Sequence, residues 1–257
     1  MNYENIIYKE EGNIAMLIFD RPKALNAINA EVVSEFDDIV RKIETNDNIR
    51  AVILSGSGKA FIAGADISRM KDYTVKEAYD FMLSGQEILI KIEQSKKPYI
   101  AAINGYALGG GLEIAMACDI RLASETAEVG QPELLLGITP AWGGMQRLVR
   151  LVGKGIAKEI VFGCNKINAK RAWEIGLVNK IVAPNKLMEE AVNMANTFAK
   201  MPRHAIKMAK YAIESGYDMD NTSANRFEAG VCGLCFGTDE QKEGMEAFLE
   251  KRKPLFK

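Results

Sequence analysis

Asn104-Gly105-Tyr106-Ala107-Leu108-Gly109-Gly110-Gly111-Leu112-Glu113 runs through a glycine cluster into an apolar helix, and Gly130-Gln131-Pro132-Glu133 places a second acid behind a turn. Glycines let a backbone approach a ligand closely, and a helix N-terminus directs free N–H groups and a positive dipole end toward negative charge. Two carboxylates beside bare amides point to proton chemistry next to a polarised carbonyl. Close helix–strand packing is the other use of such glycines.

Working outward, Pro98–Ile103 reads as a buried strand, Asn104–Gly111 as a loop and Leu112–Ala117 as a helix. The same order is read earlier in the chain. Ala51–Leu54 is a strand broken by Ser55-Gly56-Ser57-Gly58. Ala60–Ala63 follows, then a tight turn at Gly64-Ala65-Asp66-Ile67 and a helix over Val75–Ile92. Repetition of this order places two loops at one end of an α/β core. Upstream, Ile6–Glu10 and Ile14–Phe19 form a hairpin through Gly12-Asn13, and Asn29 caps a helix whose apolar residues recur from Val32 to Ile43. Downstream lie short strands at Ile120–Ala123 and Ala127–Gly130. Helices follow at Gly143–Val152 and Ile156–Phe162, broken by Gly153-Lys154-Gly155, then a helix from Ala169 and an extended Leu177–Val182. Helical patterns over Leu187–Ala199, Ala205–Gly216, Met219–Cys235 and Thr238–Lys253 predict a tail that packs on the core or on another subunit.

Composition narrows the function. The 257 residues are 48% hydrophobic and 26% charged, enough for one large core. With 33 Lys and Arg against 34 Asp and Glu there is no global field for a polyanion, so nucleic acid is not the expected partner. No apolar run approaches the roughly 20 residues that span a bilayer, and Met1–Asn5 has no basic region leading into one; a cytoplasmic protein is expected. Cys118, Cys164, Cys232 and Cys235 are expected as reduced, packed thiols. Cys232-Gly233-Leu234-Cys235 is half a zinc pattern without a second pair, and His204 is the sole histidine, so no metal site is expected. His204, as a cap or surface residue, has no motif of a hydrolase triad around it. The glycine cluster lacks the spacing of a dinucleotide fold and the Lys and Ser/Thr of a phosphate loop.

By residue type alone, Glu113 has two readings: an acid among Leu112, Ile114 and Met116 with a raised pKa, or a solvated first-turn Glu favoured by the dipole. Glu133, before Leu134-Leu135-Leu136, is likewise either a reactive acid or a loop carboxylate at a helix start or in an ion pair.

With these motifs in place the chain resembles the enoyl-coenzyme A hydratase (crotonase) family from about Tyr3 to its C-terminus. The resemblance rests on Ala60-Phe61-Ile62-Ala63-Gly64-Ala65-Asp66-Ile67, the segment Asn104–Glu113, and Gly130-Gln131-Pro132-Glu133. It implies an α/β spiral of repeated β-β-α units, with residues 1–199 as the spiral core and 200–257 as a helical region for trimer contacts and covering of the active site. It also implies reversible syn hydration of a short-chain trans-2-enoyl-coenzyme A, such as crotonyl-coenzyme A, in fatty-acid or butanoate metabolism. The backbone N–H groups of Ala65 and Gly110 would bind the thioester oxygen, Glu113 would activate water and Glu133 would exchange the proton at Cα.

Coenzyme A would arrive as part of the substrate, with no tightly bound cofactor. Its contacts would involve Ala63, Gly64, Asp66 and Ile67, together with Gly109, Pro132, Ala141 and Trp142. Lys251 and Lys257 of the basic tail would face its phosphates, although that tail is equally a solvated one. The resemblance further implies a homotrimer or dimer of trimers and coupling to a 3-hydroxyacyl-coenzyme A dehydrogenase. The alternatives are an enoyl-coenzyme A isomerase, for which the Glu133 position alone suffices, and a thioester- or RNA-binding scaffold. One departure lies near the chemistry: Ala141 and Met145 stand where family hydratases commonly have Gly and Thr. Alanine at 141 would be strained if that position needed a positive φ.

Overall fold

The computed structural model describes residues 3–256. Strands β1 (Ile6–Glu11) and β2 (Ile14–Phe19) form the antiparallel hairpin, with Gly12 at φ 58° in its turn. Asn29 accepts the Val32 N–H at 3.0 Å and opens α1 (Ala30–Thr45), the cap its sequence position predicts. Three successive units then repeat. The first contains β3 (Ala51–Gly56), β4 (Ala60–Ile62), α2 (Ile67–Met70) and α3 (Val75–Glu93). The second contains β5 (Tyr99–Ile103), β6 (Tyr106–Leu108) and α4 (Gly110–Ala117). The third contains β7 (Ile120–Ser124), β8 (Glu128–Gly130) and α5 (Gly144–Gly163). Strands β9 (Ile167–Asn168) and β10 (Lys180–Val182) flank α6 (Ala169–Glu174), and α7 (Leu187–Ala199), α8 (Arg203–Gly216), α9 (Asn221–Cys235) and α10 (Asp239–Leu249) complete the chain.

The first strand of each unit joins one sheet, in the order β1-β2-β3-β5-β7-β10, and the second joins another, β4-β6-β8-β9. Apart from the β1–β2 and β8–β9 pairs the neighbours are parallel, which makes the chain a spiral of β-β-α turns feeding two sheets. The inner strands β2, β3 and β5 of the larger sheet are covered on both faces, so their sequences are nearly continuously apolar. Side chains along this sheet still alternate: Val52, Leu54, Tyr99 and Ala101 face the main core, whereas Ile53, Ile100 and Leu122 face Leu187, Ala191 and Ala195 of α7.

Several local expectations change. Residues 104–111 are not all loop, because β6 lies inside them, paired with β4 on one side and β8 on the other. Ser55 and Gly56 stay in β3 instead of breaking it; Ser55 Oγ donates to the Ala102 carbonyl at 2.9 Å, and Gly56 pairs with Phe19. The expected break at Gly153-Lys154-Gly155 is a kink within α5, with Gly153 at φ 79° and ψ 161°. Of the four free thiols only Cys118 is buried. Cys232 is exposed on α9, contrary to the packed interior expected of it, because that face of α9 has no core beneath it. His204 is partly buried in the first turn of α8, where the Glu240 carboxylate accepts the Arg203 and His204 amides at 2.8 and 2.9 Å. Among the described residues no helix is long and apolar enough to cross a membrane.

Candidate active site

The site grows from the turn before α4. Gly109 sits at φ 53°, and a Cβ there would stand 2.8 Å from Glu133 Oε1 and 3.7 Å from the Gly64 Cα. Glycine is therefore required twice over, by backbone conformation and by the close approach of two other segments. The Gly64 loop is held by residues 25–28: Ala63 N–H donates to Leu25, Ile28 N–H to Gly64 and Asp66 N–H to Ile28, at 3.0, 2.9 and 2.7 Å. Asn26, buried at φ 61°, anchors that rail by donating its amide to the carbonyls of Ser57, Ala60 and Phe61. The Ala65 N–H faces no acceptor among the described residues, nor does that of Gly110 in the first turn of α4.

Glu113, one turn into α4, is only 3% exposed, so the solvated first-turn reading fails. Its Oε1 accepts the Trp142 and Gly144 N–H groups at 2.8 and 2.7 Å. Burial pushes its pKa up to about 7, with the Glu133 charge adding to the rise and the Gly144 and Trp142 amides opposing it. Glu133 opens the short 3-10 turn Glu133–Leu136, and burial raises it to about 7 as well. The buried Gln131 amide, oriented to pair donor with acceptor, donates to both Glu133 oxygens at 2.8 and 3.0 Å. Glu113 Oε2 lies 4.0 Å from where a Gly110 Cβ would be, so the two carboxylates flank the consecutive residues Gly109 and Gly110.

Both acids, Gly109 and Gly110 border an apolar cavity of about 120 Å³. Ala63, Gly64, Ala65 and Ile67 line one side of it, and Pro132, Ala141 and Trp142 another. Phe81 and Trp142, with ring centroids 5.6 Å apart, form part of its wall. A Cβ on Gly85 would fall 2.0 Å from the Trp142 ring, so glycine at that turn of α3 lets the indole lie against the helix.

Two expected contacts are not in this cavity. The Asp66 carboxylate turns to Ser68 at 2.6 Å and Arg21 at 3.3 Å, and these partners lower its pKa, the Ser68 hydroxyl most. Lys251 is exposed beyond α10 and does not line the cavity, while the neighbouring Arg252 is committed to Glu243 and Glu250. Lys257 lies outside the described residues. Ala141 is not among the residues with positive φ, so its methyl group adds no backbone strain of that kind. Met145 does not line this cavity and borders a separate surface groove.

Sequence reasoning missed the parts that act through the backbone. Gly144 is one: a Cβ there would lie 2.6 Å from Glu113 Oε1. Asn26 and Arg147 are others, and Gln131, read only as part of a turn, pairs its side chain with the Glu133 carboxylate. The available signal was polar residues in apolar or glycine-rich settings, Ala24-Leu25-Asn26-Ala27 and Gly143-Gly144-Met145-Gln146-Arg147, but the partners lie about 30 residues or more away for Gly144 and Asn26. Among the described residues no cluster of three or more His, Cys, Asp or Glu side chains is arranged to hold a metal.

Comparison with known proteins agrees along the whole chain. Residues 9–257 match the family model described as enoyl-CoA hydratase/isomerase. The short-chain-enoyl-CoA hydratase of Clostridium acetobutylicum is 48% identical over 254 residues, covering 98% of this chain and 97% of that protein. The crotonyl-CoA hydratase of Syntrophomonas wolfei is 47% identical over 257 residues, covering 100% and 99%. The crystal structure of enoyl-CoA hydratase from Bacillus anthracis superposes with a TM-score of 0.95 at 36% identity, covering 99% of each chain. With a family match over nearly its full length and relatives at this identity, the chain belongs to the enoyl-CoA hydratase/isomerase family.

Proposed function

We propose that this protein is a hydro-lyase that reversibly adds water, in syn fashion, across the double bond of a short-chain trans-2-enoyl-coenzyme A such as crotonyl-coenzyme A. The observation that carries the reading is the pair of buried carboxylates, each with a pKa near 7, flanking Gly109 and Gly110 in one apolar cavity. In this reading the thioester oxygen accepts the Ala65 and Gly110 amides. Negative charge grows on that oxygen as the enolate-like species forms, so fixed donors stabilise the transition state more than the ground state. Ionised Glu113 takes a proton from the attacking water, whose oxygen bonds to Cβ. Protonated Glu133 delivers its proton to Cα. An acid and a base with pKa values near neutrality suit this exchange.

The small cavity and its Phe81–Trp142 wall support a short acyl chain. The Ala63–Ile67 loop is assigned to the adenine side of coenzyme A. For phosphate contacts, Lys251 and Lys257 would serve from a neighbouring copy, with 200–257 as the region of trimer contacts and site covering. A homotrimer or dimer of trimers accounts for the exposed apolar side chains of α9 and α10. The 3-hydroxyacyl product suits oxidation by a 3-hydroxyacyl-coenzyme A dehydrogenase.

The test is an assay with crotonyl-coenzyme A, following loss of enoyl absorbance and appearance of the 3-hydroxy product, over acyl chains of about four to sixteen carbons. Glu113→Gln and Glu133→Gln should each lower kcat by at least about 100-fold while folding and ligand binding persist. Double-bond migration without the hydroxy product would favour the isomerase. Unchanged turnover in both variants would remove the carboxylate roles.

A further inference from the structure

The chain segment 141–144 supplies both N–H groups that bind Glu113, yet it belongs to no helix or strand until Gly144 begins α5. A loop aims amides reliably only if its carbonyls are also held. The Ala141 carbonyl accepts Gln86 Nε2 at 2.6 Å. The Trp142 carbonyl accepts Arg147 Nη1 at 2.7 Å. Arg147 is in turn forked onto Glu93, through Nε at 2.5 Å and Nη2 at 2.7 Å, in a bidentate geometry that fixes the plane of the guanidinium. Its side chain is 13% exposed. Gly143 makes room for it: at φ 89°, a Cβ there would fall 2.2 Å from Arg147 Nη1. Gln86 and Glu93 both belong to α3, two turns apart, and Gly85 of the same helix meets the Trp142 ring. Helix α3 thus holds the loop directly at the Ala141 carbonyl and the Trp142 ring, and through Arg147 at the Trp142 carbonyl.

We propose that Arg147, locked by Glu93, is a positioning residue for Glu113: it holds the Trp142 carbonyl so that the Trp142 and Gly144 N–H groups converge on Glu113 Oε1. The inference rests on the proposed role of Glu113 as the group that activates water. Arg147 touches neither the cavity beside the acids nor a reacting atom. Its effect passes through one peptide unit, whose C=O points to the guanidinium while the N–H groups on either side of the residue pair point to the carboxylate.

The charged groups acting on Glu113 are Glu133, which raises its pKa, and Arg147 itself, which lowers it. Loss of Arg147 therefore removes a direct charge as well as the loop's anchor, and the two effects must be separated. Lysine at 147 keeps the charge but cannot make the fork to Glu93 and bond Trp142 at once. On the far side, Arg147 and Glu93 border a cavity of about 550 Å³, lined also by Gln86, Glu214 and Asp218. That cavity gives a small cation a route to the place a truncated Arg147 would vacate.

The experiment compares Arg147→Ala, Arg147→Lys and Glu93→Gln with the native enzyme, using crotonyl-coenzyme A. Arg147→Ala should lower kcat roughly 10- to 100-fold, the scale on which misplacement by about an ångström acts, with KM within about twofold. Arg147→Lys should recover little of this, and Glu93→Gln should show a smaller loss in the same direction. The acid limb of the pH profile should move to higher pH, since a carboxylate that loses N–H donors holds its proton longer. Millimolar methylguanidinium should restore part of the Arg147→Ala rate and return that limb toward its native position. The apparent pKa of Glu113, read by carbon NMR of labelled carboxylates, gives the same answer without turnover. A native enzyme with no hydratase activity would overturn the functional reading, and an unshifted Glu113 titration in Arg147→Ala would overturn the positioning role on its own. Full activity in Arg147→Lys would likewise overturn it, leaving only a charge effect.

Discussion

Glu113 ionises in a place that offers it almost no water and only two N–H donors, and this sets both its chemistry and its cost to the fold. Its pKa is about 7 in the folded chain against an ordinary 4.5. Below pH 4.5 both folded and unfolded chains carry the proton, so burial of the group costs nothing in this respect. As pH rises through 4.5 the unfolded chain ionises first, and stability falls until the folded group ionises near 7. That difference corresponds to about 3 kcal/mol above pH 7. Glu113→Gln removes the titration, so the variant should match the native protein near pH 4.5 and exceed its stability by up to about 3 kcal/mol at pH 8. Urea unfolding midpoints at the two pH values measure this, and a gain that does not vary with pH would contradict it. The type and place of both acids were legible in the sequence. The burial of Glu113 was not, because what covers it is the 142–144 loop, folded back from about 30 residues downstream. The two local cues oppose each other: the apolar neighbours Leu112, Ile114 and Met116 favour burial and the helix dipole favours a solvated carboxylate.

Elements were readable where their patterns were long. The spacing in α1 behind its Asn29 cap and the long helical pattern that becomes α3 are both written locally. The three-residue strands β4, β6 and β8 are too short to carry a period, and β6 reads as loop in the sequence for that reason. Attachment between elements was equally invisible. Lys210 of α8 buries its ammonium group against the core, donating to Asp119 Oδ2 at 2.9 Å and to the carbonyls of Ile92 and Lys97 at 2.8 and 3.3 Å. In sequence it is one lysine on an amphipathic helix. Asp119 keeps one partner without it, the Tyr99 N–H at 2.7 Å, but two carbonyls and much of a carboxylate would be left without a donor. Lys210→Met should therefore destabilise the protein by roughly 3 kcal/mol. Hydrogen exchange should rise first in α8, because the tether and the Arg50 contact to the Met201 carbonyl at 2.8 Å hold its start and middle to the core. A loss below about 1 kcal/mol, or exchange rising uniformly, would show that α8 is held by its apolar face instead.

The whole molecule is unevenly finished. The two sheets, α1 and α3–α7 enclose a main core and a smaller cluster under α7, whereas α9 and α10 leave large apolar side chains in the open: Leu234 is 63% exposed, Phe248 82% and Leu249 79%. Contiguous exposed apolar patches mark interaction surfaces, and Phe248 and Leu249 stand exposed next to each other in the chain. Each aromatic side chain carries about 150–250 Å² of surface, and at about 25 cal/mol per Å² a few of them repeated around a symmetric interface suffice for stable association. A closed ring of copies satisfies all such patches at once, as the proposed trimer or pair of trimers would. Sedimentation velocity should find the native chain at the mass of three or six copies. Phe248→Glu combined with Leu249→Glu places two charges where an interface would have to bury them, and should shift the population to smaller species while the far-ultraviolet spectrum of the chain stays helical. If the coenzyme phosphates are held from a neighbouring copy, the same variant should raise KM for crotonyl-coenzyme A far more than it lowers kcat, since Glu113 and Glu133 and both free amides come from one chain. A monomeric variant with native KM would separate assembly from catalysis and confine the whole site to a single subunit.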